Sequence, residues 1–331
     1  MKKHIFYGIM ILATAGSLAS CDEWTDPEAV GNHFGSVSEV NPPAYTQYLQ
    51  NLQEYRKNGH KKVYACFDNK ASFVSQADHV ATVPDSIDVL VLNNPGDISQ
   101  ACLDEINAKR SNTGMQTAYT ISYPAIRKAW ELEKELGSNT AWETYRDSKV
   151  TEQLGYFDNG GFDRIICYYE GRETGTLADV EKQAYIKDQT DFLAPFKNWA
   201  SGHIDKGFDF QGIPANIADK SLLDAASVIF LSETLQATNV SEMDYIIRRN
   251  SVAGVDNAKF AVMTSLPVLD PTRADLGYWG SDYSSWITAR WARTAAVSAI
   301  GLTNLYDDYY NHDFIYPVCR GAIRILNPAA K

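Results

Sequence analysis

Residues 62–122 carry the reading that decides the fold: KVYACF (Lys62–Phe67), IDVLVL (Ile87–Leu92), ISQACLDEINAKR (Ile98–Arg110) and MQTAYTIS (Met115–Ser122). Three of these are short runs with apolar centres, and strands buried on both faces in a parallel sheet read as such runs rather than as strict alternation. The third reads as a helix. The same order continues outward in both directions. Tyr45–Lys57 has helical character and stops at Asn58-Gly59, and Tyr123–Leu136 is a helix with Pro124 in its first turn. Phe162–Tyr169, Phe208–Ile213, Val228–Leu231, Lys259–Thr264 (KFAVMT) and Ala299–Leu305 are further strands, with helices over Ile287–Val297 and around Pro317–Ile325. Eight strands interleaved with helices over about 270 residues predict an α/β fold, a (β/α)8 TIM barrel forming a single domain. An open doubly wound sheet is the alternative, but no Gly-rich phosphate loop follows the first strand.

The chain ahead of the barrel reads as targeting sequence. Lys2, Lys3 and His4 precede an apolar stretch, Ile5–Leu12, and small residues, Ala13–Ser20. That is the build of a secretory signal peptide, and its core is shorter than the roughly 20 apolar residues a membrane span needs. Leu18-Ala19-Ser20-Cys21 resembles the bacterial lipobox, in which the cysteine is acylated after cleavage. The expected layout is a signal over residues 1–20, a lipid anchor at Cys21 with a linker to 44, and the barrel from 45 to 331. Asp22-Glu23 directly after the cysteine resembles the surface-export signal of lipoproteins in Gram-negative glycan-degrading anaerobes. The expected location is therefore the outer membrane, lipid-anchored and facing outward, with no other membrane contact.

Composition narrows the partners. Hydrophobic residues make up 45% and charged residues 21%, which suits a globular chain. Lys and Arg number 30 against 41 Asp and Glu, a net charge of −11, and that field disfavours nucleic acid. The six histidines (His4, His33, His60, His79, His203 and His312) have no paired metal-ligand spacing, and no G-x-S-x-G elbow occurs. No metal or cofactor is expected. Cys66, Cys102, Cys167 and Cys319 read as small buried hydrophobes.

The fourth strand carries the chemistry: Gly160-Gly161-Phe162-Asp163-Arg164-Ile165-Ile166-Cys167-Tyr168-Tyr169-Glu170. It resembles the D-G-x-D-x-D-x-E strand of glycoside hydrolase family 18, the chitinases and endo-β-N-acetylglucosaminidases. In register, Asp163 matches the first Asp and Glu170 the final Glu. Arg164 stands for the Gly, and Ile166 and Tyr168 stand for the two inner Asp residues. The resemblance implies that Glu170 occupies the place of the general acid. It also implies that Tyr168 replaces the carboxylate that orients the substrate's N-acetyl group, the internal nucleophile of this family. A phenol with an ordinary pKa of about 10 carries no negative charge at neutral pH. Losing such a stabiliser typically costs on the order of 10²–10³ in rate. Asp163 reads as structural.

Function in such barrels gathers at the C-terminal ends of the strands. Here these ends are polar: Asp68-Asn69, Asn93-Asn94, Tyr119 to Tyr123, Gln211 to Asn216, Ser232-Glu233, and the aromatic loops Tyr278–Trp286 and Tyr306–His312. Rings stack on sugar faces while carboxylates and amides accept from hydroxyls. The chain has 19 Tyr, 13 Phe and 7 Trp, enough to supply both core and cleft. Tyr119, Tyr123, Tyr168, Glu233, Tyr278, Trp279, Tyr283, Trp286 and Tyr306 are the candidate ligand contacts. The sequence thus points to a lipoprotein that binds N-acetylglucosamine-containing, N-glycan-like oligosaccharides without turning them over, a pseudoenzyme. It resembles the surface glycan-binding components of starch-utilisation-type systems, which implies an outer-membrane importer as partner. The alternative is an active endo-β-N-acetylglucosaminidase using Glu170 with a carboxylate such as Asp68 or Glu233; a purely structural lipoprotein is a third reading.

Overall fold

The computed structural model describes residues 41–311 and 314–328. The chain divides into two compact units, Met1–Tyr48 and Leu49–Lys331. The expected anchor at Cys21 and the loop residue His312 lie outside the described residues. Helix α1 spans Pro42–Lys57.

In the second unit eight parallel strands close a barrel in chain order. They are β1 (Lys62–Phe67), β2 (Val89–Leu92), β3 (Gln116–Ser122), β4 (Arg164–Tyr169), β5 (Gly207–Gly212), β6 (Ile229–Leu231), β7 (Phe260–Ser265) and β8 (Ala299–Thr303). Strand β8 pairs back onto β1, Lys62 opposite Ala299, so the barrel sheet has no open edge. Outside lie α2 (Gln100–Thr113), α3 (Tyr123–Glu135), α4 (Trp142–Gly160), α5 (Asp179–Gly202), α6 (Ser221–Ala225), α7 (Val240–Asn250), α8 (Ser284–Ala292), α9 (Leu305–Tyr309) and α10 (Pro317–Leu326). The (β/α)8 barrel expected from the order of elements is the fold observed.

Differences from the sequence reading have local causes. Helices α4, α5 and α7 were not anticipated; on α4 and α5 the buried face includes polar residues, Arg146 and Gln189, that interrupt the apolar stripe. Strand β4 begins at Arg164 rather than Phe162. Gly161, at φ 63°, closes α4 in the left-handed region, and the Asp163 carboxylate is taken by Thr117 N (2.9 Å) and Arg110 Nη2 (2.9 Å). The helix expected over 287–297 ends at Ala292, and the Lys61 ammonium holds the carbonyls of Ala295 (2.6 Å) and Val297 (2.8 Å) in the return to β8. The last strand stops at Thr303 because Asn304 turns left-handed, φ 61°, ahead of α9. Cys102, Cys167 and Cys319 are buried and Cys66 half-buried, all as free thiols.

Side chains alternate along each strand, so two cores form. Leu90, Tyr119, Ile165, Cys167, Tyr169 and their counterparts pack against the helices. Val89, Val91, Ala118, Ile166, Val228, Phe230, Ala261, Met263 and Ala299 fill the barrel itself. Below this plug, Arg164 Nε and Nη2 meet Asp209 Oδ2 and Oδ1 at 2.8 and 2.6 Å, Tyr64 OH donates to Oδ2 at 3.0 Å, and Val228 N donates to Oδ1 at 3.1 Å. Gly207 makes the space, since a Cβ there would lie 2.3 Å from the guanidinium carbon. Asp209 is fully buried, so it is stable only with its partners in place.

Two outcomes follow. Asp209→Ala strands the Arg164 guanidinium and is expected to cost about 3–5 kcal/mol in urea unfolding. The Arg164→Met, Asp209→Leu pair is expected to recover part of that loss; a double variant no more stable than Asp209→Ala would contradict this account. Separately, His60 donates from Nε2 to Asp88 Oδ1 at 2.8 Å, and that bond raises its pKa in the folded state. The histidine's contribution to stability is therefore complete below its unfolded pKa of about 6.5 and fades as pH rises through the higher folded value. His60→Asn is expected to flatten this part of the stability–pH profile.

Candidate functional site

The inward row of β4 runs from the buried ion pair to the mouth: Arg164, Ile166, Tyr168 and then Glu170 just past the strand. Tyr168 and Glu170 are both half-buried, and the phenol hydroxyl donates to Glu170 Oε1 at 2.5 Å. Burial first, and then the bond and charge of Glu170, push the Tyr168 pKa well above its ordinary value. The phenol therefore stays protonated and stays a donor. Among the described residues no side chain donates to the other oxygen of Glu170, which leaves it as an acceptor for a ligand hydroxyl or amide.

Neighbouring strands complete the wall. Ser122 on β3 and Gln211 on β5 lie beside Tyr168 in register. The Glu170 carbonyl accepts from Asn216 Nδ2 at 3.3 Å. Gly171 turns the chain at φ 66°, where a Cβ would lie 2.9 Å from Tyr185 OH and 3.0 Å from the Tyr169 ring. Next along the chain, Arg172, Glu173, Asn216 and Arg249 line a cleft of about 370 Å³. Gln211 and Asn216 fall within the polar strand end at 211–216, but only register marks them out from their neighbours.

The candidate contacts divide. Tyr278, Trp279 and Tyr283 are half-buried in the segment after β7, where Tyr278–Trp279 pairs with Asp282–Tyr283 as a short ribbon. Trp279 Nε1 donates to Ala237 O at 2.7 Å, tying this segment to the one after β6. Tyr306 is half-buried after β8, with Lys70 Nζ 5.3 Å from its ring centre. Glu233 is already committed: Oε1 accepts from Arg249 Nη1 at 2.7 Å and Oε2 from Asn250 Nδ2 at 3.0 Å. Asp68 Oδ1 accepts from Asn93 Nδ2 at 2.5 Å.

Three expected contacts point elsewhere. Tyr119 is fully buried between the sheet and α4, its hydroxyl donating to Gln153 O at 2.7 Å, because its place on β3 is outward-facing. Tyr123 lies in the same shell, edge-on to Tyr169 (4.8 Å) and Phe192 (5.0 Å), and donates to Asp188 Oδ2 at 2.5 Å. Trp286 wedges between α8 and α10, donating to Val318 O at 2.9 Å across Gly321, where a Cβ would come within 2.6 Å of the indole nitrogen. All three are packing residues. Among the described residues no group of His, Cys, Asp or Glu is placed to hold a metal ion.

The family model "Glycoside hydrolase family 18, BT1044-like" matches residues 25–325. The chain belongs to this family. Its fold is shared with a selenomethionine glutamate-to-glutamine variant of BT1044, at TM-score 0.57 and 14% identity over 89% of this chain and 96% of that one. The apo endo-β-N-acetylglucosaminidase of Cordyceps militaris superposes at TM-score 0.58 and 15% identity, covering 85% of this chain and 96% of that one. A variant of that enzyme with an aspartate and a glutamate two positions apart changed to their amides, bound to fucosyl-N-acetylglucosamine-Asn, gives the same TM-score of 0.58 and covers 95% of its own chain. A search of curated proteins returns no match.

The protonated phenol can be read directly. In an ultraviolet pH titration, Tyr168→Phe is expected to leave the tyrosinate signal at about pH 10 unchanged from wild type, whereas an ordinary exposed tyrosine is half ionised there. A signal reduced by about half a tyrosine at that pH would contradict the buried, donating hydroxyl.

Proposed function

We propose that this protein is a lipoprotein of the outer cell surface that binds N-acetylglucosamine-containing glycans in its barrel mouth without hydrolysing them. The observation that carries the reading is the Tyr168–Glu170 bond. Two residues before the strand-end glutamate, this chain has a neutral donor aimed at that glutamate. The related Cordyceps enzyme was captured with its glycan after an aspartate and a glutamate at this same two-residue spacing were both amidated. Substrate-assisted hydrolysis needs a carboxylate to stabilise the positive charge that develops on the substrate's acetamido group. A phenol supplies hydrogen bonding but no negative charge.

The same arrangement suits binding. Tyr168 and Glu170 form a donor–acceptor pair, Gln211 adds an amide beside them, and Tyr278, Trp279, Tyr283 and Tyr306 supply rings near strand ends. The sequence before the barrel supports acylation at Cys21 and export to the surface. A tethered glycan-holding protein there fits delivery to an outer-membrane importer. The competing reading is an active endo-β-N-acetylglucosaminidase. It draws on Glu170 as acid and on Asp68 as second carboxylate, since Glu233 is held by Arg249 and Asn250.

Incubation with a high-mannose glycoprotein, with released glycan read by mass spectrometry, is expected to give no product. Calorimetry with the same glycan is expected to show binding that persists in Glu170→Gln and weakens about tenfold, or 1.4 kcal/mol, in Trp279→Ala. Glycan release by wild type that vanishes in Glu170→Gln would overturn the binding-only reading. Failure to bind any of a broad glycan panel would overturn the glycan reading as well.

A further inference from the structure

At the end of the barrel opposite Glu170, the starts of β1, β6 and β8 frame a cleft of about 520 Å³, lined among others by His60, Lys61, Lys62 and Arg293. Among the described residues no carboxylate lines it, although the chain holds 41 acidic residues against 30 Lys and Arg. The carboxylate that reaches its edge, Asp88, is only 8% exposed and already takes Arg56, His60 and the Val63 amide. Lys61 spends two donors on the Ala295 and Val297 carbonyls and has no carboxylate partner among the described residues. Lys62 and the exposed Arg293 likewise have no carboxylate partner among the described residues. Val228, Val297 and Leu326 add an apolar element to the lining.

Cations usually find carboxylates on a surface this acidic, and unpaired ones gathered around one cavity lower the cost of bringing in an anion. A guanidinium offers a planar fork and an ammonium a point charge, and the two together match an oxyanion with several acceptor oxygens. The apolar residues accommodate the carbon side of an ester. We infer that this N-terminal cleft is a second binding site, for a phosphate ester. It is independent of the glycan reading, because it shares no residue with the mouth.

The test uses the full chain and three probes: inorganic phosphate and glycerol 3-phosphate by calorimetry, and phosphatidylglycerol-containing against pure phosphatidylcholine vesicles by co-sedimentation. Wild type is expected to bind at least one phosphate probe, more weakly as salt rises. The double variant Lys62→Gln, Arg293→Gln is expected to bind at least about tenfold more weakly with an unchanged melting transition, since neither side chain holds a structural partner. Binding confined to the soluble probes assigns the site to a free phosphate or its ester. Selective sedimentation with phosphatidylglycerol assigns it to a lipid headgroup. Equal binding by wild type and the double variant, or no binding to any of the three probes, would overturn the inference.

Discussion

Strand β4 commits every second side chain to the barrel interior, and the molecule is organised along that row. At its base Arg164 is held by a fully buried carboxylate on β5, with a tyrosine from β1 closing the group. Above it Ile166 joins the plug of small and branched residues, and above that come Tyr168 and Glu170. Because the period is two, shifting this strand by one place would put all four residues into the shell and bring Ile165, Cys167 and Tyr169 inside. The ion pair at the base opposes such a shift, since Arg164 in the shell would leave Asp209 charged and dry. A charge buried at one end of the barrel thus holds in register the polar pair at the other.

The chemistry at the mouth follows from what the row presents there. A carboxylate two residues before Glu170 would repel it and polarise a bound acetamido group; a phenol does neither. It donates to Glu170 and leaves one carboxylate oxygen for a ligand. The elements around this pair are fixed by tethers that have nothing to do with sugar: Gly171 and Asn216 hold the turn after Glu170, and the Trp279–Ala237 bond joins two loops. Such tethers give the mouth a shape before any ligand arrives, which reduces the ordering cost of binding.

Much of this was legible in the residues alone. Short apolar runs separated by helices announced the parallel barrel, and the alternation Ile166, Tyr168, Glu170 put the right side chains on the inner wall. Helix α7 was missed although Met243 and Ile246, buried one turn apart, lie on one face. Helices α4 and α5 were missed as well, because the face each buries includes polar side chains, Arg146 on α4 and Gln189 on α5, that interrupt the apolar stripe. The aromatic residues were the least legible. A tyrosine near a strand end looks the same whether it faces a cleft or a helix, and Tyr119, Tyr123 and Trp286 face helices.

By itself, then, the sequence determined the (β/α)8 order and a fourth strand that carries Tyr168 two residues before Glu170 on its inner face. These are local properties: period, composition and spacing survive in one dimension. Only the tertiary structure decided that Tyr168 spends its hydroxyl on Glu170, that Glu233 is paired with Arg249, and that Lys62 and Arg293 line one cleft at the far end of the barrel. Each of those facts depends on groups from different strands or loops meeting in space. The free energy of such a meeting is set by burial and hydrogen-bond geometry that no single segment contains.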